Sequence, residues 1–247
     1  MEWQAGEHVV RVPVGETTLD GNLTLPASPI GVVLFAHGSG SSRHSPRNRY
    51  VAGVLNEVGL ATLLVDLLTP EEEAVDSRTG HLRFNIMLLA KRLLGAAEWL
   101  KTLPQTRQLA IGYFGASTGA AAALVAAAER PELARAVVSR GGRPDLAGEA
   151  LPRVQAPTLL IVGGNDFQVI ELNREALAQL RCEKQLIIVP GATHLFEEPN
   201  ALEEVARLAR AWLETHLAPA QASDHTSANT PGGSVSGTSR VDMPRTE

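Results

Sequence analysis

The sequence predicts an α/β domain: a mostly parallel sheet of about eight strands with helices on both faces. Three observations predict it. Short, wholly apolar runs such as Gly31-Val32-Val33-Leu34-Phe35-Ala36 and Leu159-Leu160-Ile161-Val162 have the length of strands buried on both faces. Stretches with apolar residues at helical spacing alternate with these runs. Several runs end in Gly-rich loops, and ligands bind at that end of open α/β sheets.

Composition bounds the rest. A chain of 247 residues is long enough for one such domain with a substantial core. Hydrophobic content of 44% with 20% charged residues is that of a globular protein. A net charge of −5 leaves no electrostatic footprint for nucleic acid. No apolar run approaches the roughly 20 residues that span a bilayer, and residues 1–8 are too polar for a signal peptide. The expectation is therefore no nucleic-acid partner and no membrane. Cys182 is the single cysteine, so no intrachain disulfide can form, which fits a cytoplasmic location. No internal repeat is evident.

In chain order, residues 9–14 and 17–25 read as an opening pair of strands, with Asp20-Gly21 as turn or bulge material. Residues 31–36 form the first buried strand. Residues 46–58 read as a helix, with Pro46 in its first turn and Gly59 after its end. Residues 61–65 are the next strand, and 67–80 read as an acidic loop. Residues 81–103 read as one long amphipathic helix, with Ile86, Leu89, Leu93, Ala96, Ala97 and Leu100 near helical spacing. Strand 109–114 and alanine-rich helix 120–129 follow. Strands at 134–139, 158–162 and 185–189 alternate with helices near 146–151, at 170–180 and at 201–217. Beyond residue 217 the chain is rich in Ser, Thr, Pro, Gly and Ala. It has too little apolar surface to offset its ordering entropy, so the expected division is a folded domain at 1–217 and a disordered tail at 218–247.

Gly115-Ala116-Ser117-Thr118-Gly119 lies between a strand and a helix, the setting in which G-x-S-x-G makes a nucleophile elbow. The turn lifts a serine hydroxyl clear of the sheet. The bland alternative is a helix start with Ser117 as N-cap. Asp166 and His194 also follow the ends of strands, so topology brings all three to one edge, in the order Ser, Asp, His. His194 can take the serine proton and return it to a leaving group, and Asp166 can hold the imidazole tautomer. Asp166 could instead be a turn residue or N-cap, and His194 a plain loop residue. His37-Gly38-Ser39-Gly40 leaves the 31–36 strand at the same edge. The backbone N–H groups of Ser39 and Thr118 are the expected oxyanion donors, with His37 orienting the loop. No metal-ligand spacing or cofactor fingerprint is present, and His44, His81 and His216 read as surface residues.

At HGSGSSRHSPRN (37–48), GYFGASTGAAAAL (112–124), SRGGRPDL (139–146), LLIVGGNDFQVI (159–170) and PGATHLFEEP (190–199), the sequence resembles the dienelactone-hydrolase-like branch of the α/β-hydrolase superfamily. The resemblance runs from about Gly6 to Leu217. It implies an α/β-hydrolase fold and a cofactor-independent hydrolase with Ser117 as nucleophile, His194 as base and Asp166 as acid. Founding dienelactone hydrolases carry cysteine at the nucleophile position. Ser117 is a departure that favours ordinary ester hydrolysis. Similar domains also occur joined to a phosphoribosyltransferase-like domain, and these 247 residues contain none.

No long insertion separates strands 134–139 and 158–162, so no large lid domain is expected and the site should be open. Arg43 and Arg47 follow the His37 loop, and Arg140 and Arg143 follow the strand after the elbow. They are candidate contacts for a substrate carboxylate or phosphate. Surface pairing with Glu71, Glu72, Glu73 and Asp76 is the alternative. The resulting expectation is a carboxylic ester hydrolase cleaving a small ester or lactone through an acyl-enzyme. Thioester or amide hydrolysis on the same residues, or non-catalytic binding of an anionic metabolite, are the alternatives. A homo-oligomer is compatible with the sequence.

Overall fold

A computed structural model describes residues 3–219. The expected disordered tail therefore lies, apart from its first two residues, outside the described residues. Eight strands form one sheet: β1 (Gly6–Val14), β2 (Thr17–Leu25), β3 (Gly31–Ala36), β4 (Leu60–Val65), β5 (Ile111–Ala116), β6 (Ala134–Arg140), β7 (Thr158–Gly163) and β8 (Lys184–Val189). Their order is β1-β2-β4-β3-β5-β6-β7-β8. β2 is antiparallel to both β1 and β4, and all remaining pairs are parallel.

The apolar runs became the strands covered on both faces. Every residue of β3, β4, β5 and β7 is buried. Edge strand β1 alternates instead, with Val10, Val12 and Val14 inward. The β1–β2 turn is the two residues Gly15-Glu16, with Gly15 at φ 59°. Gly21 is not turn material. It lies within β2 opposite both Val10 and Val65, where a Cβ would meet Val10 Cγ2 at 3.1 Å and Leu63 Cδ1 at 3.2 Å.

Helices α1 (Pro46–Glu57), α2 (Pro70–Thr79), α3 (Ile86–Thr102), α4 (Thr118–Glu129), α5 (Phe167–Gln179) and α6 (Ala201–Leu217) complete the domain, with a 3-10 stretch at Pro144–Arg153. α1 and α6 cover one face through Val51, Leu55, Val205 and Leu213, against Val33, Phe35 and Phe114. α3 and α4 cover the other through Leu93, Ala97, Leu100 and Leu124, against Val32, Leu34 and Tyr113. Burying one such leucine is worth about 1.5–3 kcal/mol. From Thr118 to Ala128 every residue of α4 is buried. Its small side chains let the helix lie close to the sheet while α3 packs on its other side.

Two elements differ from the sequence reading. The expected acidic loop at 67–80 contains α2. Thr69 and Glu72 form a reciprocal capping box, Pro70 occupies the first turn, and Gly80 ends the helix at φ 68°. Only Asp76 of this helix is buried, so it has no apolar stripe to betray it. The long helix begins at Ile86 rather than 81, because the Asn85 side chain accepts from Leu88 N–H at 3.1 Å and caps it there. Among the described residues no helix is long and apolar enough to cross a membrane.

Candidate active site

The G-x-S-x-G turn joins β5 to α4. Ser117 has φ 51° and ψ −122°, a region that glycine dominates, at a cost of about 1–3 kcal/mol for a residue with a side chain. Both flanking glycines are sterically required. A Cβ on Gly115 would lie 2.4 Å from Ala120 Cα, and one on Gly119 would lie 2.2 Å from the Ala36 carbonyl oxygen. The turn is tied down by Ser117 N–H donating to Arg140 O at 3.3 Å and Arg143 N–H donating to Ser117 O at 3.0 Å. Gly38 comes closest to the serine, since a Cβ there would stand 2.9 Å from Ser117 Cβ. Ser117 is half-buried and its side chain caps nothing.

Asp166 occupies the N-cap position of α5, yet its carboxylate makes no cap hydrogen bond. It reaches His194 instead, with Oδ2 2.7 Å from Nδ1. Asp166 is the more buried partner, at 16% side-chain exposure against 40% for His194. An Nδ1–H donated to the carboxylate leaves the lone pair on Nε2, the tautomer a proton acceptor needs. The two loops are locked together beneath this pair. Asn165 donates from N–H to Ala192 O and from Nδ2 to Gly191 O, each at 2.8 Å. Gly163 permits the close approach, because a Cβ there would lie 2.5 Å from the carbonyl oxygens of Ala192 and Thr193.

Gly141 links serine and histidine. It follows Arg140, which holds Ser117, and a Cβ on it would meet His194 O at 3.0 Å. Phe196 anchors the histidine loop as a fully buried side chain at φ 55°, and its ring edge approaches Gly141. No hydrogen bond joins Ser117 to His194 among the described residues. In hydrolases such contacts tighten as substrate binds.

The presumed donor loop holds a feature that residue types alone do not reveal. Thr118, the first residue of α4, has an N–H without a partner inside the helix. Ser39 N–H, however, donates to Thr118 Oγ1 at 3.0 Å, and the two hydroxyls are 2.9 Å apart. Ser39 Oγ in turn donates to Arg83 O at 3.2 Å. The expected second oxyanion donor is thus engaged by a neighbouring side chain. His37 orients the loop, with Nε2 accepting from Leu67 N–H at 3.1 Å and Nδ1 3.0 Å from Gly38 O.

The four arginines separate into two pairs. Arg43 is bound to Asp66 through both backbone and guanidinium, and Arg143 makes a two-pronged contact with Asp145 at 2.9 and 2.7 Å. Arg47 meets Glu197 at 3.0 Å, and among the described residues the Arg140 side chain reaches only Asn48 Oδ1, at 3.4 Å. Of the carboxylates expected as surface partners, Glu72 holds Arg92 and Asp76 holds Arg83. A cleft of about 470 Å³ borders the His37 loop, lined by Ser42, Arg43, Asp66, Leu68 and Thr69 among others. Between β6 and β7 there is only the 3-10 stretch, and among the described residues no lid domain covers the edge. Sequence reasoning overlooked Phe196, Asn165 and the Thr118 hydroxyl. Only Asn165, in its Gly-Gly-Asn-Asp loop, carried a turn signal.

A family model described as the dienelactone hydrolase family matches residues 19–218. A crystal structure of a dienelactone hydrolase from Anabaena variabilis is 64% identical, with a TM-score of 0.85 over 87% of this chain and 100% of that one. XC6422 from Xanthomonas campestris, described as an α/β serine hydrolase without a lid, shares the fold at 20% identity and a TM-score of 0.70, over 87% of this chain and 97% of that one. A Mycobacterium tuberculosis protein carrying a provisional phosphoribosyl transferase name is 61% identical over 208 residues, or 84% of this chain. The chain spans only 46% of that relative's length. By the family model and by sequence identity, the chain belongs to the dienelactone hydrolase family.

Proposed function

We propose that this protein is a serine hydrolase that cleaves a small ester or lactone through an acyl-enzyme. Ser117 Oγ attacks the carbonyl carbon while His194 Nε2 takes its proton. The tetrahedral oxyanion collapses, the carbon–oxygen bond of the leaving group breaks, and His194 returns the proton to that oxygen. Water, deprotonated by the same imidazole, then releases the acid and restores Ser117. Asp166 holds the tautomer and stabilises the imidazolium. Thr118 N–H supplies one oxyanion donor, and Ser39 N–H the second once it leaves the Thr118 hydroxyl. The sequence needs water and no cofactor.

One observation carries this reading. Asp166 stands where a carboxylate would ordinarily cap a helix, and it is turned to His194 instead. An open edge without a lid supports small substrates over long acyl chains. A cytoplasmic location and a small-molecule partner belong to the same proposal, supported by the lone free thiol of Cys182 and the net charge of −5.

Labelling by a fluorophosphonate probe tests it without knowledge of the natural ester. The wild type is expected to label and Ser117→Ala not to. A folded wild type that neither labels nor turns over short 4-nitrophenyl esters would overturn the reading.

A further inference from the structure

Of the residues that α5 buries, Val169, Ile170, Asn173 and Ala176, only Asn173 is polar. It sits on the inward stripe, four positions after Val169 and three before Ala176, where helical spacing calls for an apolar side chain. Asn173 is fully buried. Its Nδ2 donates to Val169 O in its own helix at 2.8 Å and to Gly142 O outside it at 3.0 Å. Its Oδ1 is buried with no partner among the described residues. An orphaned acceptor is costly, and leucine, which branches in the same way, would fill the place without one. Packing gives no reason for an amide here. The bond to Gly142 does.

Residues 141–143 link β6 to the 3-10 stretch, and the two ends of this link hold the nucleophile. Arg140 O accepts Ser117 N–H at 3.3 Å, and Arg143 N–H donates to Ser117 O at 3.0 Å. Gly142 lies between these two residues. The space around it is closed, since a Cβ there would stand 1.9 Å from Ser139 Oγ and 2.6 Å from Ala120 Cβ. The link is thus held by β6, by α4 and, through Asn173, by α5. Asn173 also follows Asp166 by seven positions, two turns of helix, so the two residues share one face of α5. One helix therefore carries the carboxylate that meets His194 and the amide that holds the Ser117 link.

We propose that Asn173 is a positioning residue. Its amide fixes the 141–143 link, and through it Ser117, in register with the Asp166–His194 pair. This rests on the hydrolase reading above and adds to it a residue that touches neither the substrate nor the reacting atoms.

Asn173→Leu removes the amide and keeps the branched shape. With 4-nitrophenyl acetate, and with active sites counted by fluorophosphonate titration, its kcat per titrated site is expected to fall about 10–100-fold with KM little changed. The probe should label it more slowly by a similar factor. A merely structural asparagine would lower Tm and the number of titratable sites but leave kcat per site at the wild-type value, and that result overturns the proposal. Asn173→Asp decides the matter if the leucine variant fails to fold. A protonated carboxyl can donate to Gly142 O, a carboxylate only repels it, and burial raises the pH at which one becomes the other. The ratio of its kcat per site to that of wild type cancels the His194 titration. This ratio is expected to rise about tenfold as the pH is lowered from about 9 to about 6. A ratio that stays level overturns the proposal. A wild type that neither labels nor cleaves defeats the hydrolase reading and the positioning role with it. A reactive wild type matched by Asn173→Leu defeats the role of Asn173 alone.

Discussion

Ser117 keeps a backbone conformation suited to glycine, and this has a measurable consequence. Ordinarily an Ala-to-Gly change costs about 0.5–1 kcal/mol through chain entropy. At φ 51° and ψ −122° the order reverses, because only glycine escapes strain of about 1–3 kcal/mol. Ser117→Gly should therefore melt at a higher temperature than Ser117→Ala, with both inactive, and calorimetry of the two variants decides it. The histidine partner makes a second demand. Asn at position 166 preserves shape but donates where Nδ1–H must be accepted, favouring the wrong tautomer. Asp166→Asn is expected to lower kcat by about 10⁴-fold, with KM little changed. The Ser39 N–H is an occupied donor. If Thr118 Oγ1 holds Ser39 N–H away from the oxyanion, Thr118→Ala frees it. The kcat for a neutral ester should then rise several-fold, short of the roughly 10²–10³ that a whole oxyanion donor is worth. A fall in kcat would mean that the hydroxyl positions the loop instead. The order Ser, Asp, His was legible in the chain because each residue follows the end of an apolar strand. The Ser39–Thr118 contact was not. It joins residues 79 apart, and it depends on one hydroxyl rotamer.

Among the elements, glycines at superficially similar positions divide by what surrounds them. Gly119 lies in the first turn of α4, and a Cβ on it would meet the carbonyl oxygens of Ala36 and His37 at 2.2 and 2.6 Å. Both are backbone atoms of the β3 end and cannot yield cheaply. Gly53 is exposed in the interior of α1, with nothing within 4 Å of its would-be Cβ. Gly119→Ala should unfold the protein or separate α4 from β3. Gly53→Ala should gain about 1 kcal/mol of helix propensity, raising Tm by about 2–4 °C. Thermal melts of the two variants form a paired test of the same chemical change. The sequence made both helices visible, α1 by its apolar positions and α4 by its alanines. It made α2 nearly invisible, because a helix that buries only Asp76 has no periodicity to read. Its signals were local: Thr69-Pro70-Glu71-Glu72 at the start and Gly80 at the end. Gly21 misled for the opposite reason. Asp-Gly is a turn signal, but here the glycine lets β2 pass between Val10 and Leu63.

For the whole molecule, acid stability depends in part on a carboxylate that pins the connection between α2 and α3 to α2. The Asp76 side chain is fully buried, accepting from the N–H groups of Leu82 and Arg83 and from Arg83 Nε. Burial pushes its carboxyl up, but the Arg83 guanidinium and the two backbone donors outweigh this and hold it below the usual carboxylate range. Arg83 O receives the Ser39 hydroxyl, so the same ion pair supports the donor loop. A carboxylate with a lowered folded-state pKa stabilises the fold fully above its unfolded value of about 3.9. That contribution is lost as the pH falls through the lower folded-state value. The Tm advantage of wild type over Asp76→Asn should therefore be constant from about pH 8 to 5 and shrink on further acidification. Melting curves of both proteins across that range check it. An advantage that stays constant to pH 3 would assign the effect of Asp76 to hydrogen-bond geometry rather than charge. Activity should follow the same order. As the Asp76–Arg83 pair loosens, the Ser39 loop loses its support, so kcat at low pH should fall before global unfolding begins.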